Sequence, residues 1–204
     1  MFVLIPFFAD MSQLSLAKFT AAKICHELAN HLSAVQFVCE DLVESSEETK
    51  ELLHSIRLLS LTLRFFRNIY AISGHTESLY DIMFDIALSK QIVIKDEDRL
   101  LIASNIDYNR ERVICGLLYI ASKSCKSNDE MIISDDDGKG IIVRVKNKDR
   151  MLPSDIENAF RHNVKEDSVN VFAIYLKHLA TSVGLVIGIE PTDECPITMR
   201  VWEN

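Results

Sequence analysis

The chain has 204 residues, 48% of them hydrophobic, which is enough for one large domain or two small ones around a real core. Lys+Arg number 22 against 30 Asp+Glu, a formal net charge of −8, and no basic run occurs. Such a chain is a poor binder of nucleic acid or an anionic membrane. The five cysteines, Cys25, Cys39, Cys115, Cys125 and Cys195, are odd in number and widely spaced, with no C-x-x-C. They read as reduced thiols in a cytoplasmic setting, not as a disulfide framework or a zinc knuckle. Each is expected to act as a small buried apolar residue.

The opening run, MFVLIPFFAD, is apolar but short, with no basic flank and with charge arriving at Asp10. It is too short for a membrane span and weak as a signal peptide. Packing against the first helix is its expected fate, with Met11 as an alternative start. No other apolar run approaches the length of a span. Residues 12–44 read as one long helix, because Ile24, Leu28, Leu32, Val35, Cys39 and Leu42 recur at steps of three and four with no Pro or Gly between them. The polar run Glu44-Ser45-Ser46-Glu47-Glu48 breaks it. A second helix is predicted over 47–73, with Leu52, Leu53, Ile56, Leu59, Leu63, Phe66, Ile69 and Tyr70 on a broad apolar face and Gly74 as its stop. Two long helices joined by a short turn make an antiparallel hairpin. A lone hairpin cannot cover both seams, so a homodimer forming a four-helix bundle is expected.

From residue 75 the texture changes. A helix is predicted over 76–89, then β-rich runs at 91–95 and 99–104, and a helix over 109–125. A hairpin with strands near 130–134 and 140–146 follows, then helices near 153–162 and 169–183, and closing strands near 185–190 and 197–202. The expected class is α+β: a helical hairpin over 1–74 and, over 75–204, an α/β sandwich of one sheet with helices on one face.

The informative segment is Cys25-His26-Glu27-Leu28-Ala29-Asn30-His31-Leu32. A zincin would need H-E-x-x-H, with two histidines four apart. His26 and His31 are five apart, which turns one roughly 140° from the other around a helix, so one metal cannot readily join them. His26 also lies off the Ile24–Leu28 seam and should face solvent. By itself that describes an ordinary surface histidine; Glu27 and Asn30 supply the further context.

His26-Glu27-Leu28, with Asn30 and Leu32, resembles the H-box of sensor histidine kinases, H-E-L-x-[TN]-P-L. His31 replaces the proline and Ala29 the usual basic residue. A phosphoacceptor needs an exposed imidazole with one nitrogen free to attack. The resemblance gives Glu27 the role of holding the other nitrogen or taking its proton. It gives Asn30 the position that orients water on a partner aspartyl phosphate in phosphatase-type members.

Arg112-Val113-Ile114-Cys115-Gly116-Leu117-Leu118-Tyr119-Ile120-Ala121-Ser122-Lys123 resembles the kinase N-box helix, R-x-x-x-N-L-L-x-N-A-x-K. The two asparagines that would hold magnesium and nucleotide are Gly116 and Ile120 here, and neither can coordinate a hard cation. Asp136-Asp137-Gly138-Lys139-Gly140 fits the nucleotide string D-x-G-x-G, but Asp-Gly between two β runs is the expected hairpin turn. In kinase order the nucleotide loop falls on Asn147-Lys148-Asp149-Arg150-Met151, which has no glycine. The glycines of the second box are absent too, with Val171 and Phe172 expected to fill the phosphate space. Three nucleotide motifs are lost while the apolar frame stays.

An H-box joined to a kinase-like body without its ATP site resembles the ChpT-type histidine phosphotransferases of alphaproteobacteria, over about residues 15–202. That resemblance implies a homodimeric four-helix bundle and one acceptor histidine per subunit. It also implies transfer from the receiver domain of a hybrid histidine kinase to the receivers of response regulators. No cofactor would be bound by this chain, the receiver bringing its own Mg²⁺. Helical offsets place Ser33, Ala34 and Phe37 on the face of His26, and folding the hairpin near residue 46 brings Arg57, Leu61 and Arg64 alongside as a receiver-docking surface. Phe37 and Leu61 could equally belong to the core. Two other functions fit the same residues: a response-regulator phosphatase acting through Glu27 and Asn30, and a non-catalytic dimeric scaffold or inhibitor.

Overall fold

The computed structural model describes residues 21, 24–25, 28–33, 35–37, 47–71, 77–98, 107–161 and 170–204. They fall into two compact units, Met1–Ile86 and Ala87–Asn204. Among the described residues no helix is long and apolar enough to cross a membrane.

In the first unit every described position from 21 to 37 is helical, and these positions are referred to as α1. The rest of the helix predicted over 12–44 lies outside the described residues. Helix α2 runs Glu47–Ile69. It ends before the predicted residue 73: the Tyr70 N–H still donates to the Phe66 carbonyl (3.0 Å), but the Ala71 N–H donates to that of Asn68 (3.2 Å), the tightening of a final turn. Leu53, Ile56, Phe65 and Ile69 are buried, and Leu32 of α1 packs against Leu53 and Ile56.

The expected seam of α1 is only partly what this chain buries. Ala29 is buried, and Cys25, Leu32 and Gln36 are half-buried. Ile24, Leu28 and Val35 are 47–52% exposed. The inward stripe is therefore rotated by about one residue from the stripe the sequence predicts, and an apolar flank remains beside it. Helix α2 carries a matching flank, with Leu52 at 53% and Leu59 at 49% exposure.

Helix α3 spans Leu79–Ser89. Ser78 caps it, its Oγ accepting from the Asp81 N–H at 3.2 Å.

The second unit is built on a five-stranded sheet in the order β1-β2-β3-β5-β4. The strands are β1 Val93–Asp96, β2 Glu130–Asp135, β3 Gly140–Val145, β4 Leu185–Ile189 and β5 Thr198–Glu203. Among the described strands only β1 and β2 pair in parallel. The strand predicted over 99–104 lies outside the described residues. Cross-strand rows such as Ile94–Met131–Val145 and Ile133–Val143–Met199 form the buried apolar face. Arg144 and Trp202, on the alternate positions, are only half-buried.

Helices α4 Tyr108–Ser124, α5 Ser154–Arg161 and α6 Val171–Ser182 pack on this sheet, α4 on β2 and β3, α5 and α6 on β4. Asp107 caps α4 by accepting from the Asn109 N–H (3.1 Å), and Asn170 caps α6 by accepting from that of Ala173 (3.2 Å).

The turn from β2 to β3 takes the form the Asp-Gly pair predicts. Asp137 and Gly138 have φ of 50° and 74°, and the Lys139 N–H donates to the Asp136 carbonyl at 2.8 Å. Two consecutive positive φ values make a type I′ turn, where glycine is favoured. The D-x-G-x-G string is thus a hairpin in this chain.

Candidate functional site

The proposed acceptor His26, its neighbour Glu27 and the docking residue Ala34 lie outside the described residues. The described residues at the same helical phase are Asn30, Ser33 and Phe37, and all three are exposed on α1, Phe37 at 67%. The Ser33 hydroxyl donates back to the Ala29 carbonyl (2.9 Å). On a helical wheel this face lies roughly opposite the flank of Ile24, Leu28 and Val35. Cys25, next to His26 in sequence, turns inward. Burial pushes its thiol pKa up, and the positive charge of Arg67 on α2 opposes that rise.

The docking residues of α2 differ in exposure. Arg57 is exposed, while Leu61 and Arg64 are half-buried. Arg64 is held by Glu77: its Nε donates to Oε2 at 3.3 Å and its Nη2 stands 3.0 Å from Oε1. Arg67 Nη2 lies 4.0 Å from the same carboxylate. Glu77 is a residue that sequence reasoning misses. It stands 13 positions beyond Arg64, and no local period ties it to that arginine.

In the second unit, the two positions where the N-box resemblance would place asparagines lie in the core. Gly116 and Ile120 are both buried in α4. A Cβ built on Gly116 would lie 2.3 Å from Leu176 Cδ2 and 2.7 Å from Cδ1. Leu176 of α6 therefore fills the space that an asparagine side chain would need.

A polar and aromatic cluster closes the rest of the α4–α6 contact. Arg112 is buried and donates to the Tyr175 hydroxyl (2.7 Å) and to Asn109 Oδ1 (3.3 Å). Its guanidinium lies 5.1 Å from the centre of the Tyr108 ring. Burial pushes the Tyr175 phenol pKa up, and Arg112 opposes it. Phe172 stands edge-on to Tyr119 at 5.6 Å and stacks on Tyr175 at 6.4 Å. Lys123 Nζ sits 4.5 Å from the centre of the Tyr119 ring. Val171, by contrast, is 75% exposed. Of this adjacent pair, Phe172 packs against the aromatic cluster, while Val171 opens the first turn of α6 and points to solvent.

The segment at the place of the nucleotide loop is a locked turn. Asp129 accepts from Arg150 Nε (2.5 Å) and Nη2 (3.3 Å), Asn147 Nδ2 (2.7 Å) and the Lys126 N–H (2.7 Å). Asn147 Oδ1 in turn accepts from the Asp149 N–H at 3.0 Å. The hydrogen bond from Arg150 outweighs the cost of burial and holds the Asp129 carboxyl at about 2. Close by, burial and the Asp129 charge push the Cys125 thiol up to about 11, and its Sγ donates to the Ala121 carbonyl at 3.4 Å. Cys125 is half-buried, less enclosed than the fully buried residue the sequence suggests.

No protein-family model and no curated protein matches the sequence. Among solved structures, the chain is similar to a bacterial phosphotransferase determined at 1.7 Å, with TM-score 0.64 and 16% identity over 95% of this chain and 96% of that one. Two further likenesses have lower TM-scores. The histidine kinase domain of the Erythrobacter litoralis EL346 blue-light activated histidine kinase matches at 0.45, with 13% identity over 89% of this chain and 94% of that one. Full-length ShkA in complex with AMPPNP matches at 0.42, with 16% identity over 90% of this chain and 44% of that one. At such identities the likeness to the phosphotransferase is one of fold: this chain shares the architecture of a bacterial phosphotransferase along nearly its whole length.

Proposed function

We propose that this chain is a cytoplasmic histidine phosphotransferase of the ChpT type, relaying a phosphoryl group between His26 and receiver-domain aspartates of a hybrid histidine kinase and of response regulators. The observation that carries this reading is the filled α4–α6 contact. Leu176 occupies the space beside Gly116 where a kinase would keep a magnesium-holding asparagine, while the H-box residues His26, Glu27 and Asn30 remain in the sequence. An acceptor histidine together with a filled position at Gly116 supports a chain that takes its phosphate from another protein.

The mechanism asks little covalent work of this chain. One imidazole nitrogen of His26 attacks the aspartyl phosphate in line. The phosphorus–nitrogen bond forms as the acyl phosphate P–O bond breaks, and the aspartate leaves as carboxylate. Glu27 fixes the tautomer by accepting a hydrogen bond from the other ring nitrogen. The receiver supplies the Mg²⁺. Both phosphoryl bonds are labile, so transfer runs in either direction.

The exposed flanks support a homodimer. Leu32 packs on Leu53 and Ile56, and Arg67 acts on Cys25. Later positions of α1 thus pair with earlier positions of α2, the sense of an antiparallel hairpin. In that arrangement Ile24, Leu28, Val35, Leu52 and Leu59 share one side, which fits a homodimeric four-helix bundle. Asn30, Ser33, Phe37, Arg57, Leu61 and Arg64 share the other, which fits receiver docking.

The test is a phosphotransfer panel using phosphorylated receiver domains from the host genome. At least one should label this protein, and His26→Gln should abolish the label. Label that persists in the variant sinks the reading. Asn30 keeps its exposed place on the His26 face, which favours an added receiver-phosphatase activity. Asn30→Ala should then slow receiver dephosphorylation without blocking label on His26. Binding with no label on any histidine would leave the scaffold reading.

A further inference from the structure

Glu77 meets Arg64 side-on. Nε and Nη2 of the guanidinium face the two carboxylate oxygens at 3.3 and 3.0 Å. A guanidinium has two forked edges, and this pairing takes one of them. The outer edge, made by Nη1 and the second Nη2 proton, is left pointing away from Glu77 and can grip another carboxylate. Both side chains are 36% exposed.

Two further features decide whether Glu77 competes for Arg64 or presents it. The side-on pair and an incoming carboxylate would use different edges, so both can bind at once. Arg67 Nη2 stands 4.0 Å from Glu77 Oε2, the oxygen that also accepts from Arg64 Nε. A free arginine on a helix must give up rotamer freedom when it docks; one already held in a single geometry gives up less.

We propose that Glu77 is a positioning residue that presents the outer guanidinium edge of Arg64 to a carboxylate on the docked receiver domain. This rests on reading the α1–α2 face as the receiver-docking surface. Glu77 touches neither the phosphoryl group nor His26. Its effect lies in how strongly and selectively the receiver is held.

The experiment uses the receiver domain that exchanges label with the full chain. Its Kd and its transfer rate at saturation are measured for the wild type, Arg64→Ala, Arg64→Lys, Glu77→Gln, Glu77→Asp and the Arg64→Ala/Glu77→Gln double variant. Arg64→Ala and Glu77→Gln should each weaken binding roughly three- to tenfold, with the saturated rate unchanged. The double variant should bind no more weakly than Arg64→Ala alone. Arg64→Lys should behave like Arg64→Ala, because an ammonium has no fork, and Glu77→Asp should recover part of the affinity. A purely structural role would lower the thermal midpoint of the Glu77 variants and spread the loss to the saturated rate, and that result overturns the proposal. So does a Glu77→Gln variant that binds as well as the wild type, or better, while Arg64→Ala binds weakly. If Arg64→Ala itself leaves Kd unchanged, the docking surface has been misplaced and the proposal falls with it.

Discussion

Gly116 of α4 and Leu176 of α6 interlock. The leucine methyls approach so closely that a Cβ on residue 116 would lie 2.3 Å from Cδ2. Glycine permits that approach because it brings no side chain. The N-box resemblance would place an asparagine at this position, where its side chain could enter only if Leu176 moved.

Restoring the kinase residue should therefore damage the fold without creating a nucleotide site. Gly116→Asn is expected to lower stability by about 1–3 kcal/mol, the usual cost of overpacking a tight core. Unfolding in denaturant measures it, and calorimetric titration with Mg-ATP should show no binding. Adding Leu176→Ala should recover part of the loss, because the asparagine can occupy the space the leucine leaves. A Gly116→Asn variant as stable as the wild type would contradict the filled cleft.

The Asp129–Arg150 pair makes a pH-dependent prediction. Asp129 titrates at about 2 in the folded chain against an ordinary value of 3.8, so the unfolded chain binds the proton first as pH falls. Its contribution is complete above about pH 4 and is lost as pH falls toward 2, with a magnitude of roughly 2 kcal/mol. The side chain is only 7% exposed, which leaves little solvent screening. Asp129→Asn should be less stable than the wild type near neutrality, and the gap should close between pH 4 and pH 2. Denaturant midpoints across that range are the measurement. A gap that stays constant with pH would show that the loss comes from packing alone.

Much of the second unit is legible in the sequence, because its signals are local. The Asp137-Gly138 pair sits between alternating apolar runs and specifies the β2–β3 turn. The caps Asp107 and Asn170 stand where the helical pattern begins. The α4–α6 contact is half legible: Gly116 leaves space on α4, but no spacing rule joins it to Leu176, which lies on another helix. Val171 and Phe172 are adjacent and both bulky, yet only the phase of α6 decides which one packs. The same limit governs α1. Periodicity finds a broad apolar arc, and the contact of Leu32 with Leu53 and Ile56 decides which part of the arc this chain buries. Glu77 carries no sequence signal, since its meaning comes from the side-on geometry at Arg64.

The remaining part of that arc makes the last prediction. Ile24, Leu28, Val35, Leu52 and Leu59 are each 47–53% exposed, and they recur at helical spacings on one flank of each helix. Covering the exposed half of one such side chain contributes about 1 kcal/mol, and a symmetric interface uses five from each subunit. That total exceeds the lower estimates for the cost of bringing two chains together. A charge placed in the seam would be desolvated without a partner. Leu28→Asp or Leu59→Asp should therefore convert a dimer to a monomer in light scattering, and should lower the thermal midpoint at fixed concentration. Phe37→Ala, on the opposite flank, should leave the dimer intact while weakening receiver binding. If the wild type is already monomeric, or if Phe37→Ala splits the dimer and Leu59→Asp does not, the two flanks have been assigned the wrong way round or the bundle does not form.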